Sequence, residues 1–574
     1  LAPVANEVRR LVLPADQADR AGFGTSLTVG KISSGSSKTL VIGAPGQITD
    51  VTTGSRHGAV WTLQGGTGWA AESNALSLLD SGAPYVEKGG RQLRPSSSNE
   101  PTVEPTELQF GSSLAIAQLE TGQPAVLLVG MPGLQSTYAL RSGGHSEITA
   151  EQRDYYLNAV RNTVRDSNPP ERESVTVESG GILAIDQGRN KQLLIVGQTF
   201  GGDAARAGEA LASGGSFDGD AADDLAIGLP EEDNGSGAVA LLRGSTLLDL
   251  LTTAGTDRAN KAQTATRNLA PNISLYVQGQ KPGERLGTVL HLDGNVVHLN
   301  QSNRNELVIG NPSAADNTGE IYVITGQSPD ALAQSPSIET IGSISFHNLS
   351  AQDPEGRLTL TPGRSYAGFG SAISLADINT NGPGGGASAD LVMATGTAGS
   401  TLTVLYGKDS LAQRERIDLR DIASGQGLEY SGDRSLLDPS RRPLGDFNGD
   451  GYSDVLLGAG PTTLQLAFGA SSEAGATHPD AGTGGSATLE LAPQLGRVQG
   501  AWIPAGLKPL LPQIKAVDAV GDLDGDGAQE LLITSGFRDR LQEGEALLPG
   551  QSLVSANRKY ILTMQDDGNL VLSS

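Results

Sequence analysis

The sequence predicts an all-β protein, a ring of small repeated sheets in the manner of a β-propeller. Three observations lead there. Glycine is very abundant, 77 of 574 residues, while aromatics make up only 4%, the balance that many short strands joined by tight turns produce. A unit of three or four short strands recurs along the chain. Four of its turns are dense in Asp and Asn oxygens and run directly into an apolar strand.

The repeat justifies the ring. Gly24-Thr25-Ser26-Leu27 leads to Leu40-Val41-Ile42-Gly43-Ala44-Pro45 and then Gly58-Ala59-Val60-Trp61. Gly111-Ser112-Ser113-Leu114 leads to Val126-Leu127-Leu128-Val129-Gly130-Met131-Pro132, with 136–140 as the next arm. Later copies centre on the aliphatic runs ending at Gly197, Gly228, Gly310, Ala394, Gly458 and Ile533. One such unit cannot bury both of its own faces, whereas a ring of them can, and the ring leaves only short protected edges. Eight copies are discernible. The runs at Ile195 and Ile227 stand too close together to be separate units, which predicts seven blades. Residues 7–13 alternate in polarity and are expected to supply an outer strand that closes the ring.

The acidic turns carry the chemistry. Asp446, Asn448, Asp450 and Asp454 stand at positions one, three, five and nine of a stretch in which Gly451 permits a sharp bend. Ser216, Asp218, Asp220 and Asp224 repeat the spacing, as do Asp522, Asp524, Asp526 and Glu530. Asp377, Asn379 and Asn381 begin a fourth copy that resumes, after an insert, at Asp390. Alternate residues of an extended turn can aim their oxygens at one point, and hard oxygens at this density suit Ca2+, which takes six to eight in a flexible shell. Asp, Asn and Gly also make ordinary turns. Recurrence in four places, each ahead of a strand, favours calcium, with about four structural ions. The 300–306 turn lacks the full oxygen set and is not expected to bind.

The units resemble FG-GAP repeats, the blades of integrin alpha-subunit propellers and of many bacterial surface proteins. Phe23-Gly24 with Gly43-Ala44-Pro45 gives the pattern almost literally, and Phe110-Gly111 with Gly130-Met131-Pro132 and Phe369-Gly370 come close. The resemblance implies a β-propeller over residues 1–545 with calcium in hairpin turns on one face. It carries no integrin function, because no integrin-like leg or transmembrane segment follows.

Insertions decorate the repeat. Residues 85–108, rich in Pro, Ser and Glu, read as a mobile loop, and 470–488 as a Gly/Ala/Ser/Thr loop. Thr149-Ala150-Glu151-Gln152 is a capping box, and the spacing predicts a helix to about Arg165. A second short helix is expected over 245–253.

Residues 546–574 change character. Gln565, Asp567, Asn569 and Val571 match one repeat of a bulb-type mannose-binding lectin. The resemblance implies polar side chains on one strand that hydrogen-bond sugar hydroxyls, with Val571 against the sugar's apolar face. The complete lectin fold needs three repeats, and this is one, with Ser573 at the closing Tyr position.

Charge and composition narrow the function. The net charge of −24 opposes nucleic acid and anionic membranes, whose usual footprint is a basic patch. There is no cysteine, so disulfides and thiolate zinc sites are excluded. No apolar run is long enough to span a bilayer. The chain opens on Leu1 without a signal-like segment, and a processed N-terminus is expected. The six histidines are scattered, and neither a nucleophile elbow nor a phosphate-binding loop is present, so no enzyme is expected. The expectation is a calcium-stabilised, secreted or cell-surface recognition and adhesion protein that binds carbohydrate or a glycosylated surface. The alternative is a structural subunit or protein-binding scaffold of a larger surface assembly, contacting its partner through propeller loops.

Overall fold

A computed structural model describes residues 22–34, 38–47, 58–64, 103–104, 108–140, 173–197, 205–253, 264–269, 272–292, 304–327, 338–341, 344–348, 357–362, 368–376, 378, 389–395, 401–407, 416–421, 427–431, 443–447, 452–459, 463–469, 486–490, 508–509, 513–519, 529, 531–536, 541, 545–547, 552–554, 560–564 and 569–573. The fold is mainly β with few helices, and its sheets are arranged as a β-propeller in which five blades are delineated. Sheets of five, six, five, four and four strands follow one another along the chain, preceded by one of three strands. We number them sheets 1 to 6 in chain order. Sheet 1 is Leu27–Gly30, Thr39–Ala44 and Ala59–Gln64.

The central strands of sheets 2 to 5 are apolar on both faces because each of these sheets has a neighbour on both sides. In Val126–Gly130 of sheet 2, Val126 and Leu128 pack toward sheet 3 with Leu225 and Ile227. Leu127 and Val129 pack toward sheet 1 with Val41 and Val60. The same alternation recurs in Asp390–Thr395 of sheet 5, where Leu391 and Met393 join Val308 and Val323 of sheet 4. Val392 there turns to Val455 of sheet 6. A period of two on a strand buried on both faces reads in sequence as an unbroken aliphatic run.

Glycines set the spacing between sheets. A Cβ on Gly43, Gly130, Gly228 or Gly310 would lie 2.1, 2.1, 1.9 or 2.0 Å from the carbonyl oxygen of Gly111, Gly208, Gly287 or Gly370, each in the next sheet's leading turn. The leading-turn glycine of one unit, which follows an aromatic at Gly111 and Gly370, thus touches the Gly-x-Pro glycine of the unit before it. Ser26 and Ser113 donate their hydroxyls to the same Gly111 and Gly208 carbonyls, both at 2.7 Å.

The connections hold the main departure from expectation. In sheet 3 the strand Ala238–Leu242 is followed by the helix Gly244–Thr253, close to the expected 245–253, and by Thr264–Asn268 before the sheet resumes at Leu275–Gln278. Thr264–Asn268 does not join sheet 3. It pairs in parallel with Lys191–Val196, the outer strand of sheet 2. Ile344–Asn348, from the equivalent connection of sheet 4, pairs in parallel with Leu275–Gln278 of sheet 3. Arg416–Asp418, from that of sheet 5, pairs in parallel with Arg357–Thr361 of sheet 4. Three consecutive sheets therefore each lend a strand to the sheet before, covering an edge whose backbone groups would otherwise face solvent. Proline at Arg267, in register with Ile195 and on the same side of the strand as the Leu269 N–H that donates to the Val196 carbonyl, removes a ladder donor and is expected to destabilise by about 1–3 kcal/mol and to promote aggregation. Denaturant unfolding and light scattering check this, and wild-type behaviour in both would mean that the lent strand is dispensable.

The second unit also differs from its sequence reading. Gly181–Asp186 and Lys191–Val196 complete sheet 2, so the run at Ile195 belongs with the unit before it and not with the run at Ile227. Gln135–Leu140, read as the arm of that unit, instead joins Val103–Glu104 and Glu173–Val177 in a separate three-stranded sheet. The expected loops at 85–108 and 470–488 overlap strands at Val103–Glu104 and Ser486–Glu490. The helix expected from Thr149 to Arg165 and the closing strand at 7–13 lie outside the described residues. No helix among the described residues is long and apolar enough to cross a membrane.

Candidate metal centre

The acidic turns connect the first and second strands of their sheets. In sheet 3 the turn spans Leu211–Ala212 to Leu225–Leu229. Its three aspartates converge: Asp218, Asp220 and Asp224 each offer a carboxylate oxygen, all within 4.8 Å of one another. Local hydrogen bonds shape the turn. The Gly219 N–H donates to Ser216 Oγ at 3.0 Å, the Asp220 N–H to Asp218 Oδ1 at 3.1 Å and the Ala222 N–H to Asp220 Oδ1 at 2.7 Å. Gly219 has φ +84°, a backbone state that favours glycine. Ser216 Oγ itself donates to Asp218 Oδ1 at 3.3 Å, which places its oxygen beside the triad.

Asp224 does a second job. It is fully buried, and its Oδ2 accepts from the Phe217 N–H at 2.7 Å and the Asp218 N–H at 3.3 Å. Its Oδ1 accepts from the Gly244 N–H at 2.8 Å, at the start of the helix Gly244–Thr253, where a carboxylate satisfies an otherwise open donor and complements the helix dipole. Two other sheets repeat this bracket. Asp390 accepts from Ile378 N–H at 2.9 Å and Gly407 N–H at 3.0 Å. Asp454 accepts from Phe447 N–H at 2.8 Å and Gly469 N–H at 3.1 Å. Both are fully buried. The ninth-position aspartate thus ties its own turn to the glycine that ends the third strand.

Neighbouring turns lace to one another. The Gln118 N–H of sheet 2 donates to Asp223 Oδ2 at 2.7 Å. From the sheet 4 side, Asn305 Oδ1 accepts from the Ser216 N–H at 3.0 Å, and Arg304 Nε donates to the Asp218 carbonyl at 3.2 Å. The turn that lacks a ligand set therefore braces the one that has it. Asp446 O accepts from the Gln529 N–H at 3.0 Å, which joins the last two acidic turns in the same way.

Burial, helped by the nearby Asp218 charge, pushes the Asp224 carboxyl up to about 7 against the backbone donors that favour its ionised form. The folded protein then holds this proton more tightly than the unfolded chain. Its stabilising contribution is complete below an ordinary Asp value of about 4 and is lost as pH rises through about 7. In EDTA, the melting temperature is expected to fall as pH rises from about 5 to about 7 and to level off above. Excess calcium, by compensating the charge, is expected to abolish the fall. Equal slopes with and without calcium would refute the link between this carboxyl and a metal.

Asp218, Asp220 and Asp224 fit a hard divalent cation by donor chemistry: carboxylate oxygens, with Ser216 Oγ adjacent. Of the other expected ligands, Asp390, Asp446 and Asp454 are placed in their turns. Asp377, Asn379, Asn381, Asn448, Asp450, Asp522, Asp524, Asp526 and Glu530 lie outside the described residues. At the C-terminal end, Ser552–Val554, Ile561–Met564 and Leu570–Ser573 form a three-stranded antiparallel sheet. Val571 is exposed on its outer strand and Asn569 is exposed just before it, while Gln565 and Asp567 lie outside the described residues.

No protein-family model matches this chain, and no curated protein matches it. The bracket role of the ninth-position aspartates was not read from sequence. Its one local signal is the glycine that follows the third strand at 244, 407 and 469.

Proposed function

We propose that this chain is a calcium-stabilised recognition and adhesion protein built on a seven-bladed propeller of FG-GAP type. The observation that carries the reading is the convergence of Asp218, Asp220 and Asp224 in a turn between strands, whose ninth-position bracket recurs at Asp390 and Asp454. The glycine contacts between sheets give the FG and Gly-x-Pro positions a physical reason. The three-stranded sheet 1 and the pair Gln513–Ala519 with Leu531–Gly536 would bring the five delineated blades to seven. Calcium clamps turns whose carboxylates would otherwise repel one another. About four ions fill the turns, each with a structural role. Micromolar or weaker sites of this kind fill outside the cytosol, which supports a secreted or cell-surface location.

The ligand we propose is carbohydrate or a glycosylated surface, bound at the C-terminal sheet by Gln565, Asp567, Asn569 and Val571. Exposure of Asn569 and Val571 supports it. Glycan-array binding by the full chain, lost in Asn569→Ala, is the expected result. Binding unchanged by Asn569→Ala and by removal of residues 550–574 would move recognition to the propeller. That second reading, a scaffold contacting a protein partner, is favoured by the separate sheet Val103–Glu104, Gln135–Leu140 and Glu173–Val177. This sheet is inserted at the strand ends opposite the acidic turns.

A further inference from the structure

One side chain distinguishes the sheet 3 turn from its counterparts. The bracket bonds fix the correspondence: Gly244, Gly407 and Gly469 each donate to the ninth-position aspartate of their sheet. The residues just before these glycines are Arg243, Tyr406 and Phe468. At this register sheet 3 alone of the three carries a cation. Arg243 Nε lies 3.5 Å from Asp218 Oδ2, and the Asp218 side chain is only 8% exposed. The guanidinium thus occupies space beside a carboxylate that belongs to the converging triad.

We propose that Arg243 is a built-in counter-ion of the 216–224 turn, which competes with a divalent cation for Asp218 and lowers the metal affinity of this turn. The proposal rests on the calcium reading given above. Its physical basis is direct. In the metal-free protein the guanidinium offsets part of the repulsion among three carboxylates. When a divalent cation enters, Asp218 turns to the metal, and the positive side chain is left beside a doubly charged ion at a short distance, where like charges repel strongly in a partly buried site. Arg304 adds a second guanidinium, but it bonds the main-chain oxygen of Asp218 and so stays compatible with a bound metal. A permanently charged arginine suits this role, because it remains a cation at any physiological pH. The consequence is that the sheet 3 turn fills only at higher calcium than its carboxylates alone would need.

The test titrates Ca2+ into the metal-stripped full chain by calorimetry, for wild type, R243Q, R243K and D220N. D220N identifies the site by removing one of its ligands. At the D220N-sensitive site, R243Q is expected to tighten calcium binding on the order of tenfold, the scale of one close charge in a partly screened site. R243K, which keeps the charge, is expected to stay near wild type. In EDTA, R243Q is expected to melt below wild type, and added calcium to raise its melting temperature by more than it raises the wild type's. Equal affinity in wild type and R243Q at the D220N-sensitive site overturns the role of Arg243 and leaves the calcium reading intact. Absence of any D220N-sensitive calcium site in both proteins overturns the calcium reading for this turn, and the proposal with it. Should R243Q fail to fold, R243M is used in its place with the same expectation, and R243K tighter than wild type would overturn the proposal by itself.

Discussion

Gly130→Ala is expected to cost about 3 kcal/mol or more, the upper range for overpacking a tight contact. The added methyl would stand 2.1 Å from the Gly208 carbonyl oxygen and 2.2 Å from Ser113 Oγ. These two atoms are themselves hydrogen-bonded at 2.7 Å, so neither can retreat without breaking a buried bond between sheets 2 and 3. The comparison variant is Gly122→Ala. Gly122 has φ +81°, and nothing lies within 4 Å of where its methyl would stand, so it isolates the backbone penalty of about 1 kcal/mol. Denaturant midpoints of the two variants separate close approach from conformation. A loss at Gly130 no larger than at Gly122 would mean that neighbouring sheets are not held at glycine distance.

Asp390→Ala is the second large effect, and most of it is expected to persist in EDTA. Both carboxylate oxygens accept backbone donors, from Ile378 and Gly407, and the residue is fully buried. Its removal leaves two buried N–H groups without that acceptor, at about 1–3 kcal/mol each. Asp390→Asn keeps one carbonyl acceptor and is expected to lose roughly half as much. A residue that served only as a metal ligand would behave otherwise, with a loss confined to calcium-loaded protein. That outcome, read from paired melts with and without EDTA, would discard the bracket.

Local chemistry made part of this legible in the sequence. The aliphatic runs ending in Gly-x-Pro announced the central strands, because a strand with a sheet on either side must be apolar at every position. Asp218, Asp220 and Asp224 announced their convergence through spacing alone, and the helix Gly244–Thr253 showed the periodicity that buries Leu247 and Leu251. Long-range pairing was not legible. Thr264–Asn268 carries nothing that says it will pair with Lys191–Val196 rather than with its own sheet, since parallel pairing is decided by edge availability and not by a turn. The same gap hid that Gly181–Val196 belongs with Val126–Gly130, a long insertion having divided one sheet. The second job of Asp224 has no signal in its own turn, because its distant acceptor role depends on where Gly244 ends up.

The lent strands also order events in time. Sheet 2 cannot be finished when its own last strand, Lys191–Val196, has been made. It waits for Thr264–Asn268, which follows the third strand of sheet 3, and sheet 3 waits in turn for Ile344–Asn348. A repeat protein whose units touch only through their faces can fold unit by unit as the chain emerges from the ribosome. Here translation must overshoot each sheet before that sheet is sealed, so a nascent chain always trails one open edge behind the growing point. Premature stops within the propeller would leave that edge bare, and the resulting fragments would be sticky rather than merely short.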